Sequence, residues 1–249
     1  MQLIVINKRT IYILLGAILA MIFALIFVNR VNDVVGTTVP INNKVIVIDP
    51  GHGGVDPGAL SNTGILEKDI SLNISKKLRR LLEQTGSIVI LTREEDVGLY
   101  TEKSKTYNEK KNEDLRNRRI MVNKIKPDLF LTIHLNSFSQ SRYYGAQTFY
   151  QRGSDEGKKL SKFIQEELRR TLNNNNNRIE LARDSVYLLR EIDSTAILIE
   201  CGFLSNPREA ELLNQPQYQE KIAWAIYTGI IRYYNQIEKD SFIQEWNLI

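Results

Sequence analysis

Two histidines and two glutamates of this 249-residue chain stand where chemistry could be done. His52 lies in the turn Asp49-Pro50-Gly51-His52-Gly53-Gly54, just after an apolar run. His134 directly follows Leu131-Thr132-Ile133, and Glu200 directly follows Ile197-Leu198-Ile199. Glu67 opens the first helical pattern beyond the glycine-rich turn. Imidazole and carboxylate groups at the ends of apolar strands suggest a zinc site with two His, one carboxylate and an open fourth position. Zinc suits this mixture of nitrogen and oxygen better than magnesium, which demands oxygen. A second carboxylate, free of the metal, would act as general base on a water molecule. Each residue also has a plainer reading. His52 could serve only the turn, His134 could be a satisfied core histidine, and Glu67 could complement a helix dipole. Glu200 is harder to dismiss, because an unpaired carboxylate after an apolar run is costly to bury. The separations of 15 and 67 residues between His52, Glu67 and His134 match no short metal signature. The residues alone therefore reach a candidate zinc hydrolase and no further.

The elements that must position these groups alternate between strand and helix. Strands are expected at 44–49, 88–92, 129–133 and 196–199, with weaker ones at 146–150 and 186–189. Helical spacing runs over 67–84, with Ile70, Ile74, Leu78 and Leu81-Leu82 on one face, and over 115–125, 157–172, 207–213 and 217–234. Continuous apolar strands alternating with amphipathic helices imply one α/β domain. Its twisted sheet is mostly parallel or mixed, with helices on both faces. Sites in such sheets form beyond the carboxyl ends of the strands, where His52, His134 and Glu200 fall. The charged stretch 94–114 reads as a long connection, bordering a groove or simply solvated. Asn173 to Asn177 reads as an exposed loop. Lys76-Lys77 and Arg79-Arg80 read as the solvent side of their helix.

Composition narrows the partners. The formal net charge is +4, from 33 basic and 29 acidic residues. Lys8, Arg9 and Arg30 are the charged residues of the first 30, and setting them aside leaves 30 basic against 29 acidic. The remainder is nearly neutral, which argues against a nucleic-acid partner. One cysteine, Cys201, excludes an intramolecular disulfide framework and any multi-cysteine metal site; the strand alternation turns it away from Glu200, as a buried inert thiol. Ile11 to Val28 is an uncharged 18-residue run, about 27 Å as a helix against roughly 30 Å of bilayer hydrocarbon. Residues 1–30 thus read as a transmembrane anchor or a signal segment, 31–43 as a linker, 44–236 as the catalytic domain and 237–249 as a tail. Either reading of the first segment puts the bulk of the chain outside the cytoplasm, membrane-anchored or secreted.

The stretch Val45-Ile46-Val47-Ile48-Asp49-Pro50-Gly51-His52-Gly53-Gly54-Val55-Asp56-Pro57-Gly58-Ala59 resembles the opening motif of the zinc-dependent N-acetylmuramoyl-L-alanine amidases, the amidase_3 family. Further matching stretches come in the family's order. They are Leu91-Thr92-Arg93 with Asp96, then 115–123 with Arg118, then 131–137, then 197–206. The resemblance implies that His52, Glu67 and His134 hold zinc and that Glu200 is the catalytic glutamate. Asn136, beside His134, together with Arg93 and Arg118 of the matching stretches, reads as binding substrate or supporting the ligands. The substrate implied is peptidoglycan, cut at the amide between N-acetylmuramic acid and L-alanine. The membrane, through the N-terminal segment, and an activator or partner protein complete the expected partners. The short chain without wall-binding repeats is most similar to the spore germination-specific subgroup, which is associated with muramic-δ-lactam in cortex peptidoglycan. Ser194-Thr195-Ala196 and Gly145-Ala146-Gln147-Thr148 depart from the family pattern without removing an expected ligand. Another zinc-dependent wall hydrolase, a peptidase or deacetylase, is the competing enzyme class, and a non-catalytic wall-binding scaffold the competing non-enzyme.

Overall fold

The computed structural model of the protein describes residues 7–9, 12, 14–23 and 40–246. The N-terminal segment and the linker expected at 31–43 fall largely outside these residues. Residues 14–23 are helical, and among the described residues no helix is long and apolar enough to cross a membrane. Residues 1–39 and 40–249 form separate compact units, and every element named below belongs to the second.

The elements run in the order β1 (Val45–Pro50), α1 (Glu67–Glu83), β2 (Ile88–Leu91), α2 (Tyr107–Ile125), β3 (Leu129–Asn136), β4 (Gln147–Tyr150), α3 (Asp155–Leu172), β5 (Leu181–Ala182), α4 (Tyr187–Glu191), β6 (Thr195–Phe203), α5 (Pro207–Leu213) and α6 (Pro216–Trp246). The sheet order is β2-β1-β3-β6-β4-β5, with β4 antiparallel to β6 and the other pairs parallel. The expected α/β domain with a mixed sheet is what the chain forms.

Alternation along each strand sends side chains to opposite layers. Ile46 and Ile48 join the layer of α1, α3 and α6, in one buried cluster with Ile70, Ile74, Leu78, Ile164 and Ile222. Val47, Phe130 and Leu198 face the other way, in a cluster with Val122 of α2 and Leu188 and Leu189 of α4. The central strands β1, β3 and β6 are thus covered on both faces. That fixes their register, because a one-residue slip would exchange the two faces.

Four stretches differ from the sequence expectation. The second half of the connection 94–114 is helix. Thr106 starts it with a capping box: its hydroxyl accepts from Glu109 N at 3.2 Å, and Glu109 Oε2 accepts from Thr106 N at 2.9 Å. The charge-rich first turns carry no apolar stripe, so periodicity does not reveal them. Val186 to Leu189, expected as a weak strand, enters helix α4 instead. A four-residue apolar run does not distinguish the two states. Helix α6 continues through 237–246, into the stretch expected as a tail. In the asparagine run, Asn176 is buried and donates from Nδ2 to Ala146 O at 2.7 Å, tying the loop to the approach of β4.

Candidate metal centre

Strands β1, β3 and β6 lie side by side, so their carboxyl ends bring His52, His134 and Glu200 to one edge. Thr132 pairs with Asp49 across β1–β3, and His134 pairs with Glu200 across β3–β6. Paired residues of parallel strands point to the same face, about 4.8 Å apart. Beyond this pair the register shifts, and Asn136 opposes Phe203; such bulges often re-aim side chains beside active sites.

Glu67 is the first residue of α1, and its backbone N–H donates to Ala59 O at 3.0 Å. Its side chain is buried and turned into the site rather than serving the helix dipole from solvent. Glu67 Oε2 lies 3.1 Å from His52 Nε2, and Oε1 lies 2.9 Å from His134 Nδ1. Backbone N–H groups of Ala59 and Leu135 donate to the same carboxylate at 2.7 and 2.9 Å. The two imidazoles stand edge to face with centroids 4.9 Å apart. One ligand atom each from His52, Glu67 and His134 falls within a 4.8 Å group, so these three could hold a metal ion. Without one, burial opposes charge on His52, but hydrogen bonds and charges from Asp56 and Glu67 raise its pKa to about 9. Burial opposes charge on Glu67 as well, and its contacts with His134 and His52 nevertheless hold it well below the usual carboxylate range.

Glycine is required around this cluster. A Cβ on Gly51 would fall 2.6 Å from His134 Nδ1, and one on Gly58 would fall 2.6 Å from Glu67 Oε2. Gly58 also has φ +69°, where a side chain is strained. His52 itself sits at φ 62°, which costs a non-glycine residue about 1–3 kcal/mol. That conformation is held from below by two arginines. Arg93 donates from Nε to Pro50 O at 3.1 Å and from Nη2 to Gly51 O at 2.8 Å. Arg118 donates from Nη1 to Pro50 O at 2.8 Å and from Nη2 to His52 O at 2.7 Å. Arg118 also pairs with Asp49 and Asp114, both at 2.7 Å. Burial opposes the charge on Asp49, but Arg118, Thr92 and Thr132 keep its pKa low. Both arginines are sealed inside the protein. Their donors are spent largely on the backbone of the turn that carries His52. Asn136 accepts at Oδ1 from Ser137 N at 2.8 Å.

Glu200 differs from every other carboxylate at this edge. Its Oε2 is shielded from solvent and has no hydrogen-bond partner. Burial pushes its pKa up, with His134 pulling it down and Glu67 adding to the rise. An unsatisfied buried acceptor beside three convergent ligands fits a site completed by a cation and a water. Cys201 is fully buried, and burial raises its thiol pKa well above normal, so it is no nucleophile. A cleft of about 180 Å³ opens against His52 and His134, walled by Lys111, Leu115, Tyr187 and Leu188.

One residue of the site has no counterpart among the sequence-derived candidates. Asp56 Oδ2 lies 2.9 Å from His52 Nδ1. This leaves Nε2 to face Glu67 and the metal position, the usual way a ligating imidazole is oriented. The available signal was a carboxylate four positions after a candidate ligand in a glycine-rich turn.

Three ligands, an open side and a free base are what a single-metal hydrolase of α/β architecture requires. Likeness to known proteins is more specific. The profile of the Amidase_3 family, N-acetylmuramoyl-L-alanine amidase, matches residues 46–232, and the chain belongs to this family. It is 42% identical over 199 residues to the germination-specific N-acetylmuramoyl-L-alanine amidase of Bacillus subtilis (strain 168), covering 80% of this chain and 83% of that protein. Among solved structures it matches the CwlD amidase from Clostridioides difficile, determined in complex with the GerS lipoprotein. That match has a TM-score of 0.76 and 52% identity, over 78% of this chain and 99% of that one. A second N-acetylmuramoyl-L-alanine amidase, from Clostridium difficile 630, matches with a TM-score of 0.67 and 31% identity, over 78% and 98% of the two chains.

Proposed function

We propose that this chain is a zinc-dependent amidase. It hydrolyses the amide joining the lactyl group of N-acetylmuramic acid to L-alanine in peptidoglycan, in the maturation or germination of the spore cortex. The observation that carries the reading is the convergence of His52, Glu67 and His134 beside the unpartnered carboxylate of Glu200. When bound to these three residues, zinc supplies Lewis-acid polarisation of the scissile carbonyl and acidifies water.

The chain's own residues do the rest. Glu200 takes a proton from the attacking water at its free oxygen. It returns that proton to the leaving nitrogen of L-alanine as the C–N bond breaks, leaving a carboxylate on the lactyl group. A carboxyl with its pKa raised by burial is suited to both transfers near neutral pH. Asp56 keeps His52 in the tautomer that presents Nε2. Arg93 and Arg118 hold the loop carbonyls so that the ligand geometry exists before substrate arrives. Asn136, at the end of β3, borders the same edge and is assigned to substrate orientation.

The compartment follows from the substrate. Peptidoglycan lies outside the cytoplasmic membrane, and the apolar segment within residues 1–30 would carry the domain there as an anchor or signal. A partner protein belongs to the proposal too, since the C. difficile amidase that this chain resembles was solved with a lipoprotein. Digestion of purified muropeptides, with zinc and with chelator, tests the assignment. Stem peptides beginning with free L-alanine are expected with zinc. Release of acetate or of single amino acids instead would favour a deacetylase or peptidase, and no product under any condition would favour a scaffold.

A further inference from the structure

Asp56 is shared by four donors. Its Oδ2 accepts from His52 at 2.9 Å and from Lys111 Nζ at 3.0 Å; its Oδ1 accepts from Tyr107 Oη at 2.9 Å and Gly58 N at 3.1 Å. A carboxylate has about four acceptor positions, and all are used. His52 and Gly58 belong to the glycine-rich loop itself. Tyr107 and Lys111 do not: they lie one helical turn apart at the start of α2 and face the same way. Their helix start is fixed by the Thr106–Glu109 capping box. Further along the same helix, Asp114 accepts from Arg118, and Arg118 donates to His52 O.

We infer that Tyr107 and Lys111 are positioning residues for the metal centre, acting through Asp56 on His52. The inference rests on the metal reading of the site. The two contacts from the loop itself, with His52 and Gly58 N, leave one acceptor position open on each oxygen and the carboxylate freer to tilt. Donors from a second element, one on each oxygen, remove that freedom. The imidazole then meets a carboxylate fixed in plane and distance, and its Nε2 is aimed before any metal arrives. Tyr107 is 47% exposed and the Lys111 side chain 40% exposed. A surface contact of ordinary kind would therefore be nearly silent when removed, whereas a positioning contact would change how tightly metal is held.

The test is zinc affinity of the full chain by competition with a chromophoric chelator, together with the visible absorption of the cobalt-substituted protein. Melting temperature serves as the control for folding. Asp56→Ala is expected to weaken zinc binding about 10- to 100-fold, the usual cost of losing such a partner. Tyr107→Phe and Lys111→Met are expected to weaken it roughly threefold to tenfold each, to shift the cobalt bands, and to leave melting almost unchanged. Lys111→Arg, which retains a charged donor, should recover part of the loss. Wild-type zinc affinity and wild-type cobalt spectra in both Tyr107→Phe and Lys111→Met, with His52→Ala unable to bind, would overturn this inference alone. A wild-type chain with no zinc affinity would overturn the metal reading and the inference with it.

Discussion

The floor and the rim of the site occupy the same sheet edge and treat charge in opposite ways. On the floor, Arg118 is sealed from solvent and is held by Asp49, Asp114, Pro50 O and His52 O. Arg93 beside it is spent on the carbonyls of Pro50, Gly51, Lys68 and Glu95. On the rim, Glu200 has an oxygen just as hidden, and that oxygen has no partner at all. Buried polar groups are almost always satisfied. The arginines are thus satisfied within the fold, whereas the glutamate keeps a free acceptor, the one proposed above to act on water.

That contrast can be broken from its strongest side first. Arg118→Met removes one member of a buried network and leaves Asp49 buried without its positive partner, held only by the Thr92 and Thr132 hydroxyls; a loss of about 3–5 kcal/mol in stability is expected, read as a large fall in melting temperature with or without zinc. A variant that melts like the wild type would show that the floor is not structural. Substituting a rim ligand should act differently. His134→Ala or His52→Ala should fold yet lose metal, so elemental analysis showing full zinc occupancy in either would refute its place among the ligands.

A subtler effect is set by pH. In the metal-free protein His52 is raised to about 9. A group raised in the folded state stabilises fully below its unfolded value of about 6.5, and that contribution disappears as pH climbs through 9. Chelator-treated protein should thus lose melting temperature between about pH 7 and 10, while zinc-loaded protein, whose ligating histidines are already neutral, should not. Zinc uptake near pH 8 should also release a proton, measurable by calorimetry in buffers of different ionisation enthalpy. Uptake without proton release would contradict the charged state of His52. The smallest effect belongs far from both regions. Lys77 pairs with a half-exposed Glu220 at 3.2 Å, and Lys77→Ala should change stability by no more than about 1 kcal/mol and leave zinc affinity alone.

Much of this site is legible in the sequence, and the reason is topological. Strand ends of a parallel sheet gather at one edge, so His52, His134 and Glu200 can be brought together from strand positions alone, and Glu67 from the helix that returns there. The supports are less legible. Arg93 and Arg118 stand in recognisable stretches, but nothing in a sequence separates an arginine under a loop from one in a groove. Asp56 is hidden in a motif whose glycines dominate it. The start of α2 is announced by Thr106-Tyr107-Asn108-Glu109, a capping-box pattern, yet its polar turns give no apolar stripe. Tyr107 and Lys111, which reach Asp56 from that turn, escape notice for the same reason. Local pattern exposes strands and ligands; contacts between a loop and a distant helix turn arise only on folding.

The central claim is that Glu200 performs chemistry and does not hold the metal. The direct measurement is Glu200→Gln, assayed together for zinc content, melting temperature and release of L-alanine-terminated stem peptides from muropeptides. The account predicts wild-type zinc, unchanged or higher melting temperature, and a rate lower by about 10²- to 10⁴-fold, the usual contribution of a general base. Near-wild-type release of stem peptides by a zinc-loaded Glu200→Gln protein would contradict it.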